Sequence, residues 1–195
     1  MVTAVVKIGG SVLSLPDLPW RLRHLFDLLR DNNLLCVTGG GQPADAVRQW
    51  NLVHNLSEEV AHWLAIDSMK LTARLIETLL PEATLAHTKT EVSECWSQRL
   101  IPVIDAPALV RTLERNATVE LPHSWDATSD TIAAWLAREW PADRLVLIKS
   151  VDAPGTRADL SKSDAVDTCL PDMLSADLEL LWCNLTKPVS VTAIR

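Results

Sequence analysis

The chain contains no tyrosine, a single phenylalanine and only six glycines in 195 residues. Cysteine is almost as sparse, and Cys36, Cys95, Cys169 and Cys183 form no Cys-x-x-Cys pair. This excludes a zinc ribbon and a dithiol redox motif, and leaves reduced, mostly buried thiols as the expectation. Basic residues are too few for a nucleic-acid surface: 18 Lys and Arg stand against 25 Asp and Glu, a net charge of −7. Long uncharged apolar runs are missing as well. Lys7 interrupts the first one, so neither a signal peptide nor a membrane span is expected, and a cytoplasmic protein is. Disorder is excluded by 48% hydrophobic residues with 22% charged. The length suits one full domain, taken as residues 1–195. Aromatic content rests on eight tryptophans. Trp63 and Trp135 fall on apolar helical stripes that read as core, whereas Trp125 lies in a loop where it can face a flat ring.

What glycine there is clusters. Five of the six lie in Gly9-Gly10 and Gly39-Gly40-Gly41, and each cluster follows an apolar run, residues 5–8 and 34–37. Buried strands that stop at glycines before a helix leave free backbone N–H groups, which converge on anions. With Lys7 beside the first cluster, the pair reads as a phosphate seat; either cluster alone also fits a tight strand-to-helix turn.

Taken in order, the spacing predicts a helix over 17–30, with Pro19 in its first turn, and a strand over 34–38. Strand, helix and strand in succession form a right-handed parallel unit, which puts both glycine loops at one edge of a sheet. Helix is expected from Gln42, with Ala46, Val47 and Trp50 on one face and a break at 51–55. Ser57 caps a second helix that runs to Pro81, carrying Val60, Trp63, Leu64, Met69, Leu71, Leu75 and Leu79. Strands over 83–86, 100–104, 144–149, 178–182 and 189–194 and helices over 92–99, 108–115, 131–137 and 170–174 complete the reading.

Residues 121–130 form a polar loop that runs straight into a helix. Thr128 or Ser129 as N-cap explains part of it; His123, Trp125 and Asp126 exceed what a cap requires and suggest a substrate-facing loop. The strand at 144–149 repeats the first motif's logic, ending in Lys149 and leading into a polar loop with Gly155. Two glycine loops, two strand-end lysines and an Asp at a helix start suit in-line phosphoryl transfer, whose barrier falls mainly by positioning and charge cancellation. In that arrangement Lys7 and the N–H groups of Gly9, Gly10 and Ser11 hold the donor's terminal phosphate. Gly39, Gly40 and Gly41 meet the acceptor side, and Asp130 orients Lys7 and Lys149.

Four segments, Val-Val-Lys-Ile-Gly-Gly-Ser at 5–11, Val-Thr-Gly-Gly-Gly at 37–41, Ser-Asp-Thr-Ile-Ala-Ala at 129–134 and Ile-Lys-Ser-Val-Asp at 148–152, together resemble the amino acid kinase family. The resemblance implies a three-layer α/β/α sandwich with a mainly parallel central sheet, ATP with Mg²⁺, and a homodimer. It also implies Lys7 as the phosphate-binding lysine, Asp130 as its organiser, and Lys149, Ser150, Asp152 and Gly155 at the nucleotide. Residues 39–48, 61–69 and 121–130 are similar, more narrowly, to the small kinases that phosphorylate 5-(aminomethyl)-3-furanmethanol phosphate in methanofuran biosynthesis. By that likeness Asp45, Arg48, His62, His123, Ser124, Trp125, Asp126 and Ser129 belong to the acceptor side, with Asp45 or Asp126 meeting the aminomethyl group. An acceptor that is already a phosphate anion requires no general base, and no side-chain metal site is expected. The usual Asp-Gly after Val-Asp is replaced by Asp152-Ala153-Pro154-Gly155. Isopentenyl phosphate, a nucleoside monophosphate or a carboxylate as acceptor, and a non-catalytic ATP- or anion-binding module of the same fold, are the alternatives.

Overall fold

The computed structural model describes residues 2–195. Seven strands form one sheet: β1 (Val2–Ile8), β2 (Asn32–Thr38), β3 (Ala83–Ala86), β4 (Ile101–Ile104), β5 (Arg144–Lys149), β6 (Glu179–Asn184) and β7 (Thr192–Ile194). Their spatial order is β3-β4-β2-β1-β5-β6-β7, parallel except for the antiparallel β6–β7 pair. Side chains alternate between the two faces of the sheet. On β1, Val5 faces one apolar cluster while Ala4, Val6 and Ile8 face the other; on β5, Leu145 and Leu147 are divided from Val146 and Ile148 in the same way. Strands buried on both faces read as unbroken apolar runs, which is why these two were legible.

Helices cover both faces. Leu18, Leu22, Leu25 and Phe26 of α1 (Leu18–Leu28) pack on the Val6 side. On the Val5 side lie Leu109 and Val110 of α5 (Ala106–Glu114) and residues 132–137 of α6 (Ser129–Glu139), including the fully buried Trp135. The long α3 (Glu58–Leu79) serves both layers, with Ile66 and Met69 in one cluster and Ala73 and Ile76 in the other. Each such aliphatic side chain taken from water contributes about 1.5–3 kcal/mol. Three layers with a mainly parallel sheet are the architecture that the motifs led us to expect.

One of the sequence expectations needs correction. In α2 (Gly41–His54) the buried face is Ala44 and Val47, while Trp50 is exposed. In α3, Val60, Leu71 and Leu75 are exposed. Apolar residues on both helices surround more than one face, and on α2 periodicity alone chose the wrong stripe. Short helices α4 (Lys89–Ser97), α7 (Arg157–Leu160) and α8 (Leu170–Met173) complete the chain; α7 was not anticipated.

Register places the ends of the central strands together: Ile8 pairs with Thr38 on one side and Ile148 on the other. The loops after β1, β2 and β5 therefore leave the sheet side by side. The β1-α1-β2 unit turns to one side of β1 and β5 adds on the other, and such a switch in strand order opens a crevice at the carboxyl edge.

Candidate active site

At that edge Lys7 and Lys149, each the end of a buried strand or one residue from it, converge on Asp130 in the first turn of α6. Lys7 Nζ lies 2.8 Å from Asp130 Oδ1, and Lys149 Nζ donates to Asp130 Oδ2 and, at 2.7 Å, to the Ala165 carbonyl. The three residues are 4%, 9% and 3% exposed in the order Lys7, Lys149, Asp130. Burial by itself would push the Asp130 carboxyl up, but Lys7 and Lys149 outweigh it and hold the group below its ordinary value. Lys149 is pushed down to about 8, by burial first and by Lys7 second, with Asp130 opposing both. Two cations share the Asp130 carboxylate, and Asp167 also acts on Lys149 from the start of α6.

What aims Asp130 is a residue that sequence reading missed. Asp167 accepts hydrogen bonds from the Thr128 and Thr131 amides at 2.9 and 3.0 Å and from both threonine hydroxyls. Thr128 is the N-cap of α6 by position, yet its own side chain makes no capping bond. A carboxylate 39 residues further along performs that task, and it adds negative charge at the positive end of the helix dipole. Spacing along the chain carries no signal for a cap supplied from so far away.

The glycine loops face each other. A Cβ on Gly10 would stand 2.6 Å from the Gly41 nitrogen, and one on Gly39 2.8 Å from the Gly10 nitrogen, so neither loop has room for a side chain. Gly41 also takes the left-handed φ of +56°. Part of the glycine demand is thus loop-on-loop packing. Two amides of the glycine loops are already engaged: that of Gly9, expected as a phosphate donor, donates to the Ile148 carbonyl at 2.9 Å and that of Gly39 to the Ile8 carbonyl at 2.8 Å. The amides of Gly10, Ser11, Gly40 and Gly41 instead open the 3-10 turn Gly10–Val12 and α2, where first-turn N–H groups lack intrahelical partners. Ser150 on the loop after β5 donates to Ser11 at 2.9 Å, linking two of the three loops.

Beside these loops lies a cavity of about 450 Å³, walled by Gly10, Ser11 and Gly39–Gly41, by Asp45 and Arg48 of α2, by His62 of α3, and by Ser124, Trp125 and Ser129. Arg48 donates to Asp45 at 2.6 Å, and its guanidinium carbon lies 5.2 Å from the centroid of the Trp125 ring. Two other expected acceptor-side residues are not brought to the wall. Asp126 is exposed. His123 turns outward, its Nδ1 2.5 Å from Glu59 and its Nε2 2.7 Å from Glu114. Burial opposes charge on His123, but those two carboxylates outweigh it and raise its pKa. His62 stacks on it at 4.5 Å between centroids, and burial together with the neighbouring His123 pushes His62 down to about 4.

On the far side, Asp152 is held by Asn184 at 2.8 Å and Lys187 at 2.5 Å, and Trp182 donates to the Val151 carbonyl at 2.9 Å, so the loop after β5 is tied to β6. Gly155 adopts a φ of +107°. Ser150, Asp152 and Gly155 do not line the cavity.

Fold and site together define a three-layer α/β/α protein with two buried lysines on one aspartate at the carboxyl edge of its sheet. Residues 2–153 match the amino acid kinase family, a family of phosphotransferases, and the chain belongs to it. Over 153 residues it is 26% identical to [5-(aminomethyl)furan-3-yl]methyl phosphate kinase of Methanocaldococcus jannaschii, covering 76% of this chain and 66% of the relative. It is 28% identical over 153 residues to uridylate kinase of Pyrococcus abyssi, covering 76% and 62%. The chain spans about two thirds of the length of these curated relatives. Among solved structures, uridylate kinase from Archaeoglobus fulgidus superposes with a TM-score of 0.66 at 18% identity, over 93% of this chain and 90% of that one. UMP kinase from Ureaplasma parvum gives 0.67 at 12% identity, over 100% and 99%. Asp167 and Ala165 lie beyond the residues matched to the family.

Proposed function

We propose that this protein is an ATP-dependent kinase of small phosphate monoesters, with [5-(aminomethyl)furan-3-yl]methyl phosphate as acceptor and its diphosphate as product. The observation that carries the reading is the pair of buried lysines on Asp130, at the same sheet edge as the cavity lined by both glycine loops. A nucleotide with its magnesium would supply the transferable phosphoryl group, the metal entering with the phosphates. The residues present fit such a group: cationic Lys7 and Lys149 and the amides of Gly10 and Ser11 offer charge and donors where a terminal phosphate would sit. Asp130 keeps both lysines aimed, while Lys149, Ser150, Asp152 and Gly155 border the nucleotide.

Gly40 and Gly41 face the acceptor's phosphate from the α2 side, and Arg48, His62, Ser124, Trp125 and Ser129 enclose the rest of it. An acceptor oxygen of a phosphate dianion is already deprotonated. The chain's contribution is then to bring two anions together and cancel their repulsion. Uridylate as acceptor is the second reading, favoured by the Pyrococcus abyssi relative. The proposal extends to a homodimer, supported by the exposed Trp50, Leu52 and Val53 of α2 and Leu71 of α3. A cytoplasmic site of action belongs to it too; no helix among the described residues is long and apolar enough to cross a membrane.

The test is ADP formation with ATP and Mg²⁺ across the furan phosphate, uridylate, isopentenyl phosphate, acetylglutamate and fosfomycin. Turnover with the furan phosphate alone is expected. Turnover with uridylate instead selects the second reading, and no turnover with any of them rejects the activity.

A further inference from the structure

The cavity wall carries two buried nitrogens without partners, His62 Nε2 and Trp125 Nε1. Buried polar atoms are nearly always paired, so two orphans on one wall call for a missing partner. Their polarities differ. An indole N–H is a donor only. The His62 ring is 3% exposed, burial favours its neutral form, and its Nε2 has no partner. A neutral imidazole that donates through Nδ1 keeps a lone pair on Nε2.

Its neighbours keep it neutral. His123, stacked on it at 4.5 Å, sits between Glu59 and Glu114 and is the ring of the two that takes a proton more readily. Glu59, the one carboxylate that acts on His62 itself, weighs less than burial and His123. Asp45, an expected partner for an acceptor amine, is already paired with Arg48 at 2.6 Å. Of the two unpartnered side-chain nitrogens on this wall, His62 Nε2 is the one that can offer a lone pair.

We infer that His62 Nε2 accepts a hydrogen bond from an N–H group of the acceptor while Trp125 Nε1 donates one to a neutral oxygen, making these two residues the specificity determinants of the cavity. The inference rests on the kinase reading and deepens it. It defines the substrate class as a compact phosphate monoester that carries both an N–H donor and an uncharged oxygen acceptor. The aminomethyl group and ring oxygen of the furan phosphate meet that requirement, as do the N3–H and carbonyls of uridylate. Isopentenyl phosphate meets neither half.

Two pairs of compounds test it, each removing the N–H: the furan phosphate against its 5-methyl analogue, which also lacks the amine's charge, and uridylate against 3-methyluridylate, which also gains a methyl group. Titration calorimetry on the wild-type protein comes first. Preference for the N–H-bearing member of at least one pair, by about tenfold or more in Kd, is expected for a buried hydrogen bond. Equal affinity within both pairs overturns the inference. In kinetics, His62→Phe is expected to erase the preference by weakening only the N–H-bearing member, with KM for ATP unchanged. Trp125→Phe is expected to raise KM for both members of the pair about equally. A preference that survives His62→Phe overturns the assignment. Should no compound be phosphorylated, the calorimetric preference still decides the inference, while the absent turnover rejects the kinase reading separately.

Discussion

Replacing Asp130 by Asn removes one negative charge and little volume from a site that is 3% exposed. Lys7, 2.8 Å away, and Lys149 would then face each other across a neutral amide. Removing one partner from a buried ion pair costs about 3–5 kcal/mol. At about 2–4 °C per kcal/mol for a chain of this size, the melting temperature should fall by roughly 6–20 °C. The loss should also depend on pH, with a sign that can be worked out. In the wild type Lys149 titrates at about 8, against 10.5 for an unperturbed lysine, and Asp130 is the group that holds it up. Without Asp130 the folded-state value drops further while the unfolded one stays. Between the two values the unfolded chain binds the extra proton, so stability rises with pH across that window. The window opens at lower pH in Asp130→Asn than in the wild type. The stability deficit should therefore narrow as pH is raised from about 6 towards about 8. Urea unfolding at three pH values in this range, with the slope checked for constancy, measures it. A variant as stable as the wild type, or a deficit that does not move with pH, would refute the reasoning.

Wild-type turnover should fall as pH rises through about 8, where Lys149 loses its proton, and Lys149→Arg should move that limb upward in a pH–rate profile while lowering kcat. Gly10→Ala would place a methyl 2.6 Å from the Gly41 nitrogen. Because the Gly41 nitrogen belongs to backbone, the loops must part, and a stability loss of about 1–3 kcal/mol with strongly reduced turnover is expected from calorimetry and ADP release. Asp167→Ala leaves the opening amides of α6 uncapped; thermal melts should show about 1–2 kcal/mol lost, and kcat should fall more than KM for ATP as Asp130 loses its aim.

Legibility followed the range of the interactions. The lysine-ended strands, the glycine clusters and the helix opening at 129–130 are local patterns of a few residues, and the parallel-unit rule is enough to bring the loops after β1 and β2 to one edge. Everything that depended on a distant partner was out of reach. His123 belongs to a loop that looked substrate-facing, yet it is claimed by Glu59, 64 residues away, and Glu114. Asp167 gave no sign of its role because the helix it caps starts 38 residues earlier. The orphan nitrogens of His62 and Trp125 could not be foreseen either, since an absent partner is visible only when all neighbours are placed. The Gly9 amide, expected as a phosphate donor, and the Gly39 amide both continue the ladders of the strands before them, a pairing that depends on neighbouring strands.

The central claim, that Lys7 works on a phosphoryl group passing between two anions, is tested most directly by following label from γ-labelled ATP into the acceptor. Wild type and Lys7→Ala would be compared on the furan phosphate and on uridylate, with melting curves confirming that both proteins are folded. The account predicts label in the product diphosphate of one acceptor with the wild type, and loss of transfer by about a hundredfold or more in Lys7→Ala. Transfer that persists undiminished in a folded Lys7→Ala protein would contradict it.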